Sequence, residues 1–338
     1  MNGARIAVAS AATCLLLGAT GSAAWLHGRL QPAAIGEEAT LTFTVERGQG
    51  VSQVARALAA ADLVRDARVI VLLARLRGWQ GRLQAGEYDL SAGMTPTEIL
   101  QQIISGRVRT YKAVLPEGIR ASEMAMRLEQ AGLTDADAFM ALIEDPAFTR
   151  SLGIDADSLE GYLYPETYEL PRNLAPEAVA ELLVSQFEQA WRGIEPRARS
   201  QKLSRHEIVT LASIVEKETS VAEERPLIAA VFLNRMKRGM RLETDPTVIY
   251  GIEDFDGNLR RRDLEDRSNP YNTYRIAGLP PGPIASPGAD ALRAVVEPAE
   301  TDYLYFVSRN DGTHHFSRSY REHANAVNRY QKRRTRSR

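Results

Sequence analysis

The chain has 338 residues, of which 44% are hydrophobic and 25% are charged, and its formal net charge at pH 7 is −1. This near balance excludes the whole-chain basic field that nucleic-acid binding requires, so we expect no nucleic acid among its partners. A single cysteine, Cys14, excludes an intrachain disulfide, and the five histidines show no metal-ligand spacing. We therefore expect neither a metal nor a cofactor.

The N-terminal segment at residues 6–26 carries no charged side chain. As a helix it would extend roughly 31 Å, which matches a hydrocarbon core of about 30 Å. We predict a cytoplasmic end at 1–4, a transmembrane anchor at 5–27 and a linker at 28–40. The alternative is a cleaved signal peptide, because residues 21–24 (G-S-A-A) resemble a cleavage site. Length favours the anchor, and both alternatives place the rest of the chain at or beyond a membrane.

A pattern of strand, glycine and helix recurs along the next part of the chain. The offsets +4, +6, +10 and +15 from Gly48 and from Gly118 hold matching residue types, and a partial third copy follows Gly93. In each unit we predict that the Ser or Thr at +4 caps a helix and that the residues at +6 and +10 share its buried face. With a helix at 69–76 and a strand at 86–90, residues 41–109 read as one α+β module. This module resembles the LysM-like modules of cell-wall-binding proteins.

Residues 159–170 (L-E-G-Y-L-Y-P-E-T-Y-E-L) follow two predicted helices, at 122–131 and 135–144, and precede a third at 174–192. They combine three tyrosines with three glutamates. Aromatic faces beside carboxylates suit sugar rings, so Glu166 and Tyr168 are candidate substrate-binding residues. The alternative is an amphipathic turn that packs its tyrosines into the core.

Two glutamates, Glu216 and Glu218, end a predicted helix that begins near His206. They border an apolar stripe formed by Ile208, Leu211, Ala212 and Val215. A carboxyl at the edge of a buried face can keep its proton near neutral pH and act as a general acid. The periodicity does not choose between the two glutamates, and a solvated charge cluster at a helix end is the alternative.

Three further segments carry candidate residues. In residues 245–247, Asp245 is predicted as a helix N-cap with Pro246 after it, and Thr247 completes the D-P-T motif. Residues 269–288 contain five prolines and three glycines. This composition predicts a rigid loop that forms one wall of a site for an extended ligand, with Tyr271 and Asn272 as its contact residues. The pattern near the end of the chain predicts a hairpin of two strands, 303–307 and 314–317. His315 on the second strand is a candidate for a hydrogen bond to substrate, and the alternative is a structural role.

Five segments in this order are similar to the endolytic murein transglycosylase family of the YceG-like type. They are residues 159–168, 212–219 (A-S-I-V-E-K-E-T), 231–251 (with L-x-T-D-P-T), 271–284 and 303–323. The resemblance covers about residues 41–330. It implies an α+β protein with a single N-terminal transmembrane helix, a small LysM-like α+β module, a mixed α+β catalytic domain at 110–330 and a basic tail at 331–338.

The resemblance also implies an activity and a location. The protein would be a single-pass inner-membrane enzyme with a periplasmic catalytic domain, and peptidoglycan glycan strands would be its substrate. It would cleave nascent strands between N-acetylmuramic acid and N-acetylglucosamine, leave a 1,6-anhydro end, and so terminate glycan elongation. The family's catalytic glutamate corresponds to Glu218, which leaves Glu216 a supporting role. Cell-wall synthesis proteins are partner candidates.

Two other functions remain open from the sequence. A muramidase-like hydrolase would pair Glu218 with a second carboxylate, such as Glu166 or Asp245, that activates water. A non-catalytic scaffold would use the LysM-like module alone to bind the cell wall.

Overall fold

A computed structural model describes Thr20 and residues 24–332 of the chain. The predicted cytoplasmic end (1–4), most of the predicted anchor (5–27) and most of the basic tail (331–338) lie outside the described residues. Within the described part, no helix has both the length and the apolar character that crossing a membrane requires.

The chain divides into two compact units. The first holds the residues up to Tyr111 together with Leu170–Arg172, and the second holds Lys112–Glu169 and the residues from Asn173 onward. The roles predicted for segments 41–109 and 110–330 stay predictions.

The first unit is built on one antiparallel pair of strands. Strand β1 (Thr40–Val45) pairs with β2 (Gly86–Ser91), and Thr40 lies opposite Ser91. Three helices share a single hydrophobic core with this sheet: α1 (Val51–Ala60), α2 (Ala67–Leu76) and α3 (Pro96–Ser105). Tyr88, at the centre of that core, is fully buried and donates a hydrogen bond to the carbonyl of Gln84.

The rest of the described chain is mainly helical, with two small sheets. Strand β3 (Tyr111–Val114) pairs with β4 (Thr167–Leu170), and β5 (Tyr305–Ser308) pairs antiparallel with β6 (His314–Ser317). The helices are α4 (Ala121–Gln130), α5 (Ala136–Ile143), α6 (Pro146–Ser151), α7 (Pro176–Ala198), α8 (Arg205–Glu218), α9 (Arg225–Lys237), α10 (Asp245–Tyr250), α11 (Arg261–Glu265), α12 (Ala289–Val296) and α13 (Tyr320–Val327).

The predicted repeat is confirmed in register. Helices α1, α3 and α4 are each ten residues long and begin three residues after Gly48, Gly93 and Gly118. Their +6 and +10 residues are fully buried: Val54 and Leu58, Ile99 and Ile103, Met124 and Leu128. Gly48 and Gly118 have φ angles of +81° and +72°, a region that favours glycine.

The capping part of that prediction is wrong. The residue at +4 (Ser52, Thr97 or Ser122) is the second residue of its helix, and the N-cap lies at +2. Of these three helices, only α3 has an N-cap, Thr95, whose side chain accepts a helical N–H, from Glu98 at 3.2 Å. The repeat is therefore a repeat of packing, not of capping.

Helix α8 is the central helix of the second unit. All residues from Ile208 to Val215 are buried, and the helix contacts α9, α10 and α12. The single stripe predicted from periodicity therefore underestimates its burial, because neighbouring elements also cover the faces that carry Thr210 and Ser213. Serine and threonine tolerate such burial when their hydroxyls return to the helix backbone, as that of Thr210 does to His206 O at 2.8 Å.

Candidate active site

Helix α8 places Glu218 at its last turn. Its N-terminus is fixed by a capping box, in which Ser204 Oγ accepts from Glu207 N at 3.2 Å and Glu207 Oε2 accepts from Ser204 N at 2.7 Å. The helix ends at Glu218 because the next residue, Thr219, has an extended backbone with φ −149°. The predicted end of this helix is therefore confirmed.

The carboxyl group of Glu218 has a polar partner but no ion pair among the described residues. The residue as a whole is half-buried, and Thr244 Oγ1 donates a hydrogen bond to its Oε1. Burial raises the pKa of Glu218 to about 7, and the charge of Asp245 acts in the same direction. The hydrogen bond from Thr244 and the charges of His314 and Arg235 oppose that rise. A carboxyl in this setting can both give and accept a proton near neutral pH.

Glu216 has a different environment. Its Oε1 lies 3.0 Å from Nη2 of Arg225, and its Oε2 accepts from the backbone N–H of Gly288 at 3.0 Å. The side chains of Glu216 and Arg225 are 5% and 10% exposed. Lys217, between the glutamates, donates to Gly118 O at 3.0 Å. Both carboxylate oxygens of Glu216 therefore link α8 to other elements of the fold, whereas the carboxyl of Glu218 is bound through Oε1 alone.

A cluster of threonines holds the hydrogen-bond donor to Glu218. Thr244, the N-cap of α10, donates its backbone N–H to Thr273 Oγ1 at 3.1 Å. Thr247 Oγ1 donates to Thr244 O and lies 2.8 Å from Thr273 Oγ1. Thr247 is fully buried. Thr247 therefore supports Thr244 from within the fold, and its predicted substrate-binding role stays a prediction.

Asp245 lies beside Glu218 but does not cap α10. It is the first residue of that helix, and the N-cap is Thr244, so the predicted cap is one residue too late. The exposed Asp245 accepts a hydrogen bond from the hydroxyl of Tyr274 at 2.7 Å. Burial and the hydrogen bond to Asp245 raise the pKa of Tyr274, which keeps that hydroxyl protonated as a donor.

Asn272 supports the loop that carries Tyr274. The side chain is fully buried, and its Nδ2 donates to Asp266 O at 2.6 Å and to Asp263 O at 3.1 Å. Its Oδ1 accepts from Tyr274 N at 3.1 Å. Asn272 therefore shapes the loop through both ends of its amide, and its predicted substrate-binding role stays a prediction.

Tyr271 lies in a separate cavity. It lines a space of about 300 Å³ together with His206, at the N-terminal end of α8, and the ring of Tyr250 lies 4.7 Å from its own. His206 is held by Tyr162 Oη at 2.9 Å and by Pro281 O at 2.9 Å. Glu218 lies at the opposite end of α8 from this cavity.

Among the described residues, neither Glu166 nor Tyr168 forms a hydrogen bond or an ion pair with Glu218. Glu166 is exposed, and its Oε1 accepts from Thr167 N at 3.0 Å. Tyr168 is buried and donates to Tyr164 O at 2.8 Å. For Tyr168 the structure therefore favours the core-packing alternative.

The histidine that acts on Glu218 is His314, which precedes the predicted His315. Adjacent residues of strand β6 face opposite sides. The ring of His315 lies 5.7 Å from that of Tyr330, whereas His314 Nδ1 lies 2.6 Å from Glu224 Oε2 and its charge influences Glu218. The structure therefore favours His314 over His315 as the histidine of the site.

A third glutamate, Glu160, has no counterpart among the residues predicted from the sequence. Burial raises its pKa to about 7 as well. Its oxygens accept from Ala121 N at 3.2 Å and from Tyr250 Oη at 3.3 Å, so it caps the first turn of α4. Glu160 is only 8% exposed and still has a raised pKa, so a raised pKa alone does not identify the catalytic acid. Partial exposure distinguishes Glu218.

The proline-rich residues 281–288, here called the proline strap, run along α8. Pro281 O accepts from His206 Nε2 at 2.9 Å, Ile284 N donates to Ser213 Oγ at 3.0 Å, and Gly288 N donates to Glu216 Oε2 at 3.0 Å. The strap therefore contacts the start, the middle and the end of the helix. Residues 282–288 are buried, while Pro281, Gly282 and Pro283 also line the cavity that contains Tyr271. The ligand wall predicted from the composition of residues 269–288 stays a prediction.

These features define an α+β protein whose second unit has a half-buried glutamate with a raised pKa, Glu218, at a helix end. The YceG-like family model matches residues 43–329, and the chain belongs to this family. The predicted resemblance is confirmed.

Relatives and a solved structure agree with this assignment. A Bacillus subtilis protein named endolytic murein transglycosylase is 30% identical over 327 residues, which cover 91% of this chain and 90% of the relative. A Streptococcus pneumoniae protein of the same name is 27% identical, and the match covers 87% of this chain and 59% of that protein. The crystal structure of a yceG-like protein from Listeria monocytogenes matches 85% of this chain and 99% of its own, with a TM-score of 0.59 and 29% identity.

Proposed function

We propose that this protein is an endolytic lytic transglycosylase that cleaves peptidoglycan glycan strands, with Glu218 as its general acid and base. The observation that carries the proposal is the setting of Glu218. Glu218 is a half-buried residue whose carboxyl has no ion pair in the described chain and a pKa raised to about 7, and the scaffold is shared with relatives of that name.

The reaction needs one carboxyl group acting twice. Protonated Glu218 gives its proton to the glycosidic oxygen, and the bond from that oxygen to C1 of N-acetylmuramic acid breaks. The C6 hydroxyl of the same sugar attacks C1 and closes a 1,6-anhydro ring. The carboxylate of Glu218 then takes the C6 proton, which returns the enzyme to its starting state without consuming water.

The pKa of Glu218 suits both halves of this cycle. An acid whose pKa is about 7 is partly protonated at neutral pH, and its carboxylate is basic enough to accept a hydroxyl proton as the new bond to C1 forms. Thr244 orients the carboxyl through Oε1, which leaves Oε2 as the oxygen we assign to the substrate. Tyr274 orients Asp245 beside it.

Asp245 also supports the rival reaction. A hydrolase of the two-carboxylate type uses a second carboxylate to activate water, and Asp245 is exposed and close enough to act on Glu218. The products distinguish the two reactions, since hydrolysis leaves reducing muramic ends and transglycosylation leaves anhydro ends.

The proposal extends to location and partners. The uncharged segment 6–26 would anchor the chain in the inner membrane, the module at 41–109 would bind the wall as LysM-like modules do, and the domain at 110–330 would act in the periplasm. In that position it would terminate growing strands beside cell-wall synthesis proteins.

The test is digestion of purified, uncrosslinked glycan strands, followed by mass spectrometry of the new ends. Wild type should produce anhydro ends within the strands, and Glu218→Gln should lose at least about a thousandfold in rate, since it cannot donate the proton. Glu223→Gln, at an exposed glutamate nearby, is the matched control. Reducing muramic ends would show that the enzyme is a hydrolase and would contradict the proposal. Full activity of Glu218→Gln would contradict the assignment of Glu218 as the acid.

A further inference from the structure

A carboxylate–histidine pair lies directly behind the last turn of α8. Glu224 ends the short 3₁₀ turn Ala222–Glu224 and is buried. It accepts from His314 N at 2.7 Å, from His314 Nδ1 at 2.6 Å and from Thr219 Oγ1 at 3.3 Å. A carboxylate that serves three donors is an acceptor only, so His314 Nδ1 carries a hydrogen, and Nε2 is the other polar atom of the ring.

The pair is connected to Glu218 through the chain. Thr219 follows Glu218 directly, and its hydroxyl also accepts from Val221 N at 3.0 Å. This hydroxyl therefore fixes the turn that ends α8, and Glu224 holds the hydroxyl. A shift of Glu224 would move the backbone next to Glu218.

The pair is also connected to Glu218 through space. His314 lies close enough for its charge to lower the pKa of Glu218. The other charged groups that act on Glu218 are Arg235 from α9 and Asp245 from α10. The guanidinium of Arg235 is bound to Leu304 O and Leu242 O, each at 2.7 Å. Of these charged groups, His314 is the one that is bound to Glu224.

We infer that Glu224 and His314 are positioning residues for the proton transfers of Glu218. Glu224 fixes the imidazole and the residue that follows Glu218. His314 stabilises the carboxylate that remains when Glu218 has given its proton to the leaving oxygen. His314 itself transfers no proton, so the balance of the reaction is unchanged. This inference rests on the proposed function.

The discriminating experiment is the pH profile of kcat/KM for the full-length chain. His314→Gln keeps an amide donor for Glu224 and removes the charge of the imidazole. Without that charge Glu218 holds its proton to higher pH, so the basic limb should move up by about 0.5 pH unit or more. At pH 7, kcat should fall about tenfold, while KM changes less than about twofold, because substrate contacts are intact.

Thr219→Val separates positioning from charge. It removes the hydroxyl that Glu224 holds and leaves the charge of His314 in place. We expect kcat to fall severalfold with the basic limb unmoved. Arg309→Gln, which removes a positive charge from the exposed turn of the same hairpin, should leave both the profile and kcat unchanged.

Three results decide the outcome. If His314→Gln gives the wild-type limb and a kcat within about twofold of wild type, the inference is overturned. If His314→Gln does not fold, Thr219→Val decides, and an unchanged kcat overturns the inference. If Glu218→Gln is as active as wild type, the proposed function fails instead, whatever the His314 result.

Discussion

Thr244 donates a hydrogen bond to the carboxyl of Glu218, while Glu216, on the same turn of α8, is bound by Arg225 and Gly288. Two glutamates separated by a single residue thus have opposite roles. A hydroxyl donor orients a carboxyl without neutralising it, whereas a guanidinium neutralises it permanently.

The Thr244 hydroxyl should be required for full activity. Thr244→Val removes a hydrogen bond that favours the carboxylate, so the pKa of Glu218 should rise and kcat/KM should fall about tenfold or more. Steady-state kinetics on glycan strands measure this loss. Thr244→Ser keeps the hydroxyl and should remain within about threefold of wild type. Equal losses in the two variants would assign the effect to packing instead.

Glu216 should matter to folding stability. Glu216→Gln leaves Arg225 buried without its closest carboxylate, because Glu117 is 3.8 Å away and half exposed. We expect the free energy of unfolding in urea to fall by about 3 kcal/mol. Replacing both partners, Glu216→Met with Arg225→Leu, should restore part of the loss. A Glu216→Gln variant as stable as wild type would show that the ion pair contributes nothing.

The ionisation of Glu218 should lower the free energy of unfolding as the pH rises. Its pKa rises from an ordinary value of 4.5 to about 7 in the folded chain, so the folded state holds the proton longer than the unfolded one. The free energy of unfolding therefore falls between about pH 4.5 and 7, by at most about 3.5 kcal/mol at about 1.4 kcal/mol for each pKa unit. Glu218→Gln should accordingly be more stable than wild type at pH 8 and equal to it at pH 4. A difference that is the same at both pH values would contradict this origin.

Gly161 should be irreplaceable for steric reasons. Its φ is +83°, and a Cβ there would clash with the ring carbons Cβ and Cγ of Pro283 in the proline strap. Gly161→Ala should therefore lower the free energy of unfolding by about 2 kcal/mol or more, measured by urea denaturation. Gly193, inside α7, has open space where a methyl group would lie, and Gly193→Ala should instead stabilise by about 0.5–1 kcal/mol. Opposite signs at the two glycines are the expected result.

The parts of the fold that depend on local spacing can be predicted from the sequence. The helices after Gly48, Gly93 and Gly118, the end of α8 at Glu218 and the C-terminal hairpin all follow from periodicity or turn chemistry. Helix starts are predicted less accurately because a helix can begin without a side-chain cap, as α1 and α4 do.

The site is predictable only in part, because its details are non-local. The environments that distinguish Glu218 from Glu216 depend on Arg225, Gly288 and Thr244, and the helical pattern reveals none of these contacts. Thr244 belongs to the motif L-x-T-D-P-T, but capping preference points to its neighbour Asp245 instead. The pattern of a strand likewise does not state which of its faces meets the rest of the fold, so it cannot choose between His314 and His315.

The proline strap has a consequence for hydrogen exchange. Ile284 and Gly288 lie outside regular helices and strands, yet their amides are bound to side chains of α8, at Ser213 and Glu216. These amides can exchange only when the strap leaves the helix, so their exchange should be as slow as that of the α8 amides and should respond to denaturant in the same way. The C-terminal end of α8 and this irregular segment would then open as one cooperative unit.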